Sequence, residues 1–192
     1  MTIEAQELPC REGHIGVLTL NAPARLNALS EPMVEQMQDV LARWADDDRI
    51  CIVVIQGAGE RAFCAGGNLR ALHQAMVTPE DEDQAPRFFR EEYRLDYLLH
   101  RFPKPVLGLA HGVVMGGGLG LLSGCRYRLV TPEVTLAMPE IAIGLFPDVG
   151  ASWFLNRLPG RLGLFMGLTG ARLNVTDALR VGLADMAIEP ED

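Results

Sequence analysis

Positive charge is scarce in this chain of 192 residues: 17 Lys and Arg stand against 25 Asp and Glu, a net charge of −8. No run of basic residues offsets that balance, which excludes a nucleic-acid footprint. Aromatic residues make up only 6%. The four cysteines, Cys10, Cys51, Cys64 and Cys125, are scattered without the close pairs of a zinc site or a redox dithiol. They are expected to be reduced and mostly structural. His14, His73, His100 and His111 show no metal spacing either, so no metal is expected. No apolar window reaches the ~18 residues of a spanning helix. The acidic N-terminus MTIEAQELPC has neither an apolar signal core nor an Arg-rich transit pattern. These absences point to a soluble, cytoplasmic protein without membrane or nucleic-acid partners, and in that setting the triplet Asn174-Val175-Thr176 carries no weight as a glycosylation site.

What is present suits one domain over residues 1–192: 48% of the chain is hydrophobic, enough for a sizeable core. Ile15 to Leu20 reads as a strand that runs into a turn at Asn21-Ala22-Pro23. Ser30 is placed as the N-cap of a helix with Pro32 in its first turn and Met33, Met37, Val40, Leu41 and Trp44 along one face. Asp46-Asp47-Asp48 ends it. Ile50 to Ile55 is a continuous apolar run of the kind covered on both sides, and two such strands around one helix indicate an α/β fold. Paired glycines follow at Gly66 and Gly67, and Thr78 to Gln84 reads as a solvated loop. In the next helix Phe88, Leu95 and Leu99 share a stripe with Glu92, while Arg90 and Arg94 face away. An acid on a buried stripe either pairs with a neighbour at the stripe's edge or lines a cavity. Pro105 to Ala110 is a further buried strand leading into Gly116, Gly117 and Gly118 and a short apolar helix. Tyr127 to Thr131 and Val134 to Ala137 read as strand, turn, strand. Ala151 to Leu158, Leu162 to Leu168 and Thr176 to Val181 read as helices, and Ala184 to Ile188 as a last strand.

The glycines admit several chemistries. Gly118-Leu119-Gly120-Leu121-Leu122-Ser123 lacks the last glycine of the dinucleotide fingerprint, although Glu133 and Glu140 lie near the distance of a ribose-binding acid. A phosphate-cradling loop would need Lys-Ser or Lys-Thr after the glycines, and neither is there. Glycines that merely permit close helix–sheet packing remain an alternative. Two separated glycine turns, each behind a buried strand, fit best with an oxyanion site, because bare backbone and the unpaired N–H groups of a helix start can both point at one carbonyl oxygen. Ser30, Ser123 and Ser152 have no nucleophile-elbow context, so acid–base work falls to carboxylates. Glu140 and Asp148 each sit beside a proline in apolar sequence, and burial there would raise a carboxyl pKa toward neutrality.

Taken together, AFCAGGNL, FFREEY, HGVVMGGGLGL and AMPEIAIGLFPDVG resemble the crotonase (enoyl-CoA hydratase/isomerase) superfamily, over about Ile15 to Ile188. The resemblance implies an α/β fold of ClpP/crotonase type, a spiral of ββα units. It implies an acyl-CoA substrate with no separate cofactor, and assembly into trimers or hexamers. It puts the two oxyanion N–H groups on Gly67 and Gly117, next to Gly116. Coenzyme A would lie against the loops that carry Arg25, Leu26 and Ala28 and Ala65, Gly66, Asn68 and Leu69. Asn68 stands where the family usually has Asp. Hydratases of the superfamily use a glutamate just after the glycine cluster, and here that position is Gly120; their second glutamate is Glu140. The hydrolase branch is the nearer likeness, with Glu140 and Asp148 as catalytic acids and Glu92 against the substrate. It implies hydrolysis of a short acyl-CoA thioester such as 3-hydroxyisobutyryl-CoA, an intermediate of valine breakdown. Enoyl-CoA hydration or isomerisation is one alternative, and a CoA-binding or oligomerisation scaffold without chemistry is another. The superfamily also has a helical C-terminal region expected to be absent or truncated here, which would leave Phe154, Leu155, Leu164 and Phe165 partly uncovered.

Overall fold

The structure, a computed structural model, describes residues 3–78 and 83–189. It opens with an antiparallel hairpin of β1 (Ile3–Cys10) and β2 (Gly13–Leu20), in register from Ile3 opposite Leu20 to Cys10 opposite Gly13. β1 is absent from the sequence reading for a physical reason. Every residue after Ile3 is exposed, so this edge strand is held by its ladder of hydrogen bonds and shows no apolar alternation. Helix α1 (Glu31–Asp46) buries the expected face of Met33, Met37, Val40, Leu41 and Trp44. Ser30 is its N-cap in position, but its side chain makes no capping bond. The other end is closed by Lys104, whose ammonium donates to the carbonyls of Trp44 and Asp47, both at 2.6 Å, where the negative end of the helix dipole favours a cation.

Beyond this, the chain repeats a ββα turn. β3 (Ile50–Gly57), β5 (Val106–Ala110) and β7 (Tyr127–Val130) pair in parallel with one another, while β4 (Ala62–Cys64), β6 (Val113–Met115) and β8 (Thr135–Ala137) pair in parallel in a second sheet. Each turn thus gives one strand to each sheet and then a helical segment: α2 (Leu69–Val77) and α3 (Gln84–His100), then α4 (Gly117–Gly124), then a 3-10 turn at Glu140–Ile143 and α5 (Ala151–Phe154). The larger sheet has the order β1-β2-β3-β5-β7-β9, with β9 (Met186–Ala187) at its edge, and the smaller β4-β6-β8. Helices α6 (Leu162–Thr169) and α7 (Val175–Val181) precede β9, and Asn174 caps α7 by accepting from Asp177 N–H at 2.9 Å.

The strand, turn, strand reading of Tyr127 to Ala137 holds, with the two strands, β7 and β8, joining different sheets. Several expectations need correcting. Ala151 to Leu158 is a short α-helix that tightens into a 3-10 turn at Leu155–Arg157. α2 was not expected at all, because it buries only Leu72 and Ala75. Of the loop read at Thr78 to Gln84, residues 79–82 lie outside the described residues, and Gln84 already begins α3. Phe154 and Leu155 are covered, whereas Leu164 and Phe165 are 57% and 54% exposed. All four cysteines are free, with Cys64 and Cys125 buried. No helix among the described residues is long and apolar enough to cross a membrane.

Candidate active site

Three segments converge on one cavity of about 200 Å³: the turn after β4, the turn before α4, and the stretch from Pro139 to Asp148. Gly66 is what allows the first two to meet. Its φ of +96° is left-handed, and a Cβ there would come 3.0 Å from Met115 O and 3.3 Å from Gly117 N. The preceding loop is tied to the same turn, with Ala65 N–H donating to Leu26 O at 3.0 Å and Leu29 N–H to Gly66 O at 2.8 Å. Gly117 is the first residue of α4, so its N–H has no partner within the helix. Among the described residues neither the Gly67 nor the Gly117 N–H has an acceptor. Two free donors therefore border one cavity beside the positive end of a helix.

The acids come from two directions. Glu140 opens the 3-10 turn after β8 and is buried, with Oε2 unpartnered. Burial first, then the charge of Asp148, pushes its carboxyl up to about 7. Glu92 enters from α3 and is only 2% exposed; its Oε1 has no hydrogen-bond partner. It lines the cavity and does not pair at the stripe's edge. Burial, with Asp148 and Glu140 adding to it, raises Glu92 to about 8, so at neutral pH it carries a proton while Glu140 is close to half ionised. Asp148, half-buried, accepts a 2.6 Å hydrogen bond from Tyr93 Oη on its Oδ2.

Of the residues singled out from the sequence, Gly66, Gly67, Gly116 and Gly117 line this cavity with Glu92, Glu140 and Asp148, as do Ala65 and Leu69. Arg25, Leu26 and Ala28 do not. They occupy the adjoining loop, where Leu26 opens onto a separate cleft beside Asn27 and Ala58. The Asn68 side chain is engaged as the N-cap of α2, accepting from Ala71 N–H at 3.3 Å. Position 120 has no room for a side chain: a Cβ on Gly120 would lie 2.6 Å from Val149 Cβ. The space in which a hydratase-type glutamate would begin is filled by Val149. Among the described residues no group of three or more His, Cys, Asp or Glu is arranged for a metal ion.

The sequence left three contributors unnoticed. Asn27, fully buried at φ +53°, donates to Ala58 O (2.9 Å) and Ala62 O (2.8 Å) and accepts from Ala22 N–H (2.9 Å), which fixes the loop beside the glycine turn. Tyr93 was hidden because its partner is far away in the chain. Asp96, one helical turn beyond Glu92, is buried with both carboxyl oxygens unpartnered. Burial, reinforced by Glu92 and Asp148, holds it well above the usual carboxylate range. Its place on the same stripe as Leu99 was the available clue.

Residues 15–192 match the family described as enoyl-CoA hydratase/isomerase. The mitochondrial 3-hydroxyisobutyryl-CoA hydrolase of Homo sapiens is 45% identical over 181 residues, which is 94% of this chain and 46% of that protein. The protein of the same name from Danio rerio is 46% identical over 179 residues, 93% of this chain and 46% of its own length. The chain thus spans about half the length of the curated relatives it matches. Among solved structures, a carnitinyl-CoA dehydratase from Mycobacterium thermoresistibile superposes with a TM-score of 0.89 at 41% identity, covering 98% of this chain and 54% of that one.

Proposed function

The chain belongs to the enoyl-CoA hydratase/isomerase family, of crotonase-type fold, and on that premise we propose that it hydrolyses a short acyl-CoA thioester, with 3-hydroxyisobutyryl-CoA as the substrate and valine breakdown as its setting. The observation that carries this reading is the pairing of two free N–H donors, Gly67 and Gly117, with the buried carboxyl of Glu140 around one small cavity.

In the proposed reaction the thioester oxygen accepts from the Gly67 and Gly117 N–H groups, which are already fixed where negative charge develops. The Glu140 carboxylate either takes a proton from a water whose oxygen attacks the carbonyl carbon, or attacks that carbon itself to form an anhydride that water then opens. Both routes pass through an oxyanion and break the C–S bond. The thiolate of coenzyme A leaves and is protonated, and the acyl group departs as its acid. Glu92 carries its proton at neutrality and offers an O–H to the substrate hydroxyl. Coenzyme A enters only as part of the substrate, along the loops at Arg25 to Ala28 and Ala65 to Leu69. Further copies of the chain are the proposed protein partners, supported by the exposed apolar side chains of Ile143, Phe146, Leu164, Phe165 and Leu168.

A second reading, hydration of an enoyl-CoA, is favoured by the name of the solved dehydratase and opposed by Val149 in the space at Gly120. A scaffold without chemistry is opposed by the free donors and the raised acids. The deciding experiment measures free thiol and enoyl absorbance in parallel. Thiol release from 3-hydroxyisobutyryl-CoA with crotonyl-CoA left intact is the expected outcome. Absorbance loss without thiol release would overturn the hydrolase reading. Label on Glu140 after single turnover in ¹⁸O-water identifies the anhydride route, since only water that opens the anhydride at the Glu140 carboxyl carbon leaves its oxygen there.

A further inference from the structure

The cavity that holds Glu140 and Asp148 has a neighbour, a cleft of about 440 Å³. Three elements each contribute to both. On α3, Glu92 faces the smaller cavity while Tyr93 lines the cleft. On α4, Gly117 and Gly120 divide in the same way, and on the loop before α5 so do Asp148 and Val149. The two spaces therefore share three elements, and two contacts tie those elements together on the cleft side. Tyr93 Oη donates to Asp148 Oδ2 at 2.6 Å, and Val149, held at φ +42°, packs against Gly120 so closely that a Cβ there would lie 2.6 Å from Val149 Cβ. A β-branched residue in the left-handed region is a costly conformation that persists only where its surroundings fix it.

We propose that Tyr93 and Val149 are specificity-determining residues: from the cleft side they back the partition that Glu92 and Asp148 present to the acyl pocket, restrict the pocket to short chains, and when removed join it to the neighbouring cleft so that longer chains are admitted. The proposal rests on the smaller cavity being the acyl-CoA site. The cleft suits an acyl tail, with Trp153 and Phe154 on its apolar side. It also holds two polar groups without partners, the Asp96 carboxyl and the Ser123 hydroxyl. A tail that ends in a hydroxyl is therefore accommodated better than a plain alkyl tail of the same length, because it satisfies groups that are otherwise left bare.

Four proteins test this: wild type, Tyr93→Ala, Val149→Ala and Tyr93→Phe. For each, thiol release from butyryl-CoA and octanoyl-CoA gives a ratio of kcat/KM from which any common loss of catalysis cancels. The octanoyl-to-butyryl ratio is expected to rise about tenfold or more in both alanine variants, in line with what a few methylenes contribute in an apolar pocket. Tyr93→Phe keeps the ring and loses only the hydroxyl, so its ratio is expected to stay at the wild-type value even as its rate falls. Dissociation constants of the S-butyl and S-octyl thioethers of coenzyme A, which cannot be hydrolysed, give the same ratio without chemistry. If wild type releases no thiol but the alanine variants shift the thioether ratio, the partition stands and the hydrolase reading falls. If both alanine variants, folded by circular dichroism, keep the wild-type ratio in rates and in binding, the partition proposal is overturned. A wild type that binds neither thioether overturns both.

Discussion

Glu92 and Glu140 flank the same glycine pair: an added Cβ at Gly116 would lie 2.9 Å from Glu140 Oε1, and one at Gly117 closer still to Glu92 Oε1. Among the described residues neither acid has a basic side chain paired with it. Coulomb repulsion between two acids in one small space opposes double ionisation, so as the pH rises Glu140 gives up its proton before Glu92 does. A carboxylate and a carboxylic acid then stand side by side with different roles available to each.

Glu140→Gln is expected to lower thioester cleavage by about 10²–10⁴-fold, with coenzyme A affinity within a few-fold of wild type. The amide keeps the shape of the side chain but can neither take a proton nor attack. Steady-state rates and equilibrium binding on the variant check this, and more than a tenth of the rate remaining would rule the role out.

The rate should also titrate. With Glu140 near 7 and acting as a carboxylate, kcat is expected to fall as the pH drops below about 7; with Glu92 near 8 and acting as a neutral acid, it is expected to fall again above about 8. Glu92→Gln, which keeps a donor and cannot ionise, should abolish the upper limb alone. A pH–rate profile of both proteins reads this directly.

Stability follows the same groups with a definite sign. Both carboxyls are raised in the fold above the ordinary value of 4.5, so between that value and about 8 the folded protein binds more protons than the unfolded chain. Their contribution is complete below about pH 4.5 and is lost as the pH rises through 7 and 8. Urea unfolding is expected to show wild type losing stability between pH 5 and pH 9, on the order of a few kcal/mol of it from Glu92, and Glu92→Gln is expected to remove that share while those of Glu140 and Asp96 remain.

Gly117→Ala is expected to fail in a different way. The new methyl group would meet the Glu92 carboxyl and come 3.3 Å from Leu29 Cδ1. The turn must shift, and loss of one aligned donor costs about 10²–10³ in kcat. A thermal melt alongside the assay separates the shift of the donor from general unfolding.

Asn27→Ala tests the support of the loop. The change removes three hydrogen bonds at a fully buried, left-handed position. It is expected to destabilise the fold by about 2–4 kcal/mol and to raise KM for the acyl-CoA more than it lowers kcat.

Periodicity placed Glu92 on the buried stripe with Phe88, Leu95 and Leu99 but left it between an edge pair and a cavity lining, and only the family resemblance favoured the cavity. Periodicity was enough for α1 and for the buried run that became β3. It could not find β1, whose exposed residues carry no apolar period, or separate β7 from β8, since three- and four-residue strands do not state which sheet they join. The Tyr93–Asp148 bond lay beyond it for another reason: nothing in a single sequence says that a tyrosine on the solvent side of one helix meets an aspartate from a distant loop. Asn68 shows the converse. An N-cap side chain and a substrate-binding side chain look alike beside a glycine turn, and only the start of α2 after Asn68 shows that its side chain accepts a capping bond.

The packing of Val149 into the space at Gly120 has a consequence on an evolutionary scale. An acid cannot be added at position 120 by a single substitution, because its first carbon would collide with Val149; emptying position 149 first opens the partition and yields no new acid. A lineage moving from this arrangement toward a two-glutamate site must therefore cross an intermediate with neither advantage, or change both positions together. The packing at one glycine thus couples two positions, so that neither changes usefully without the other.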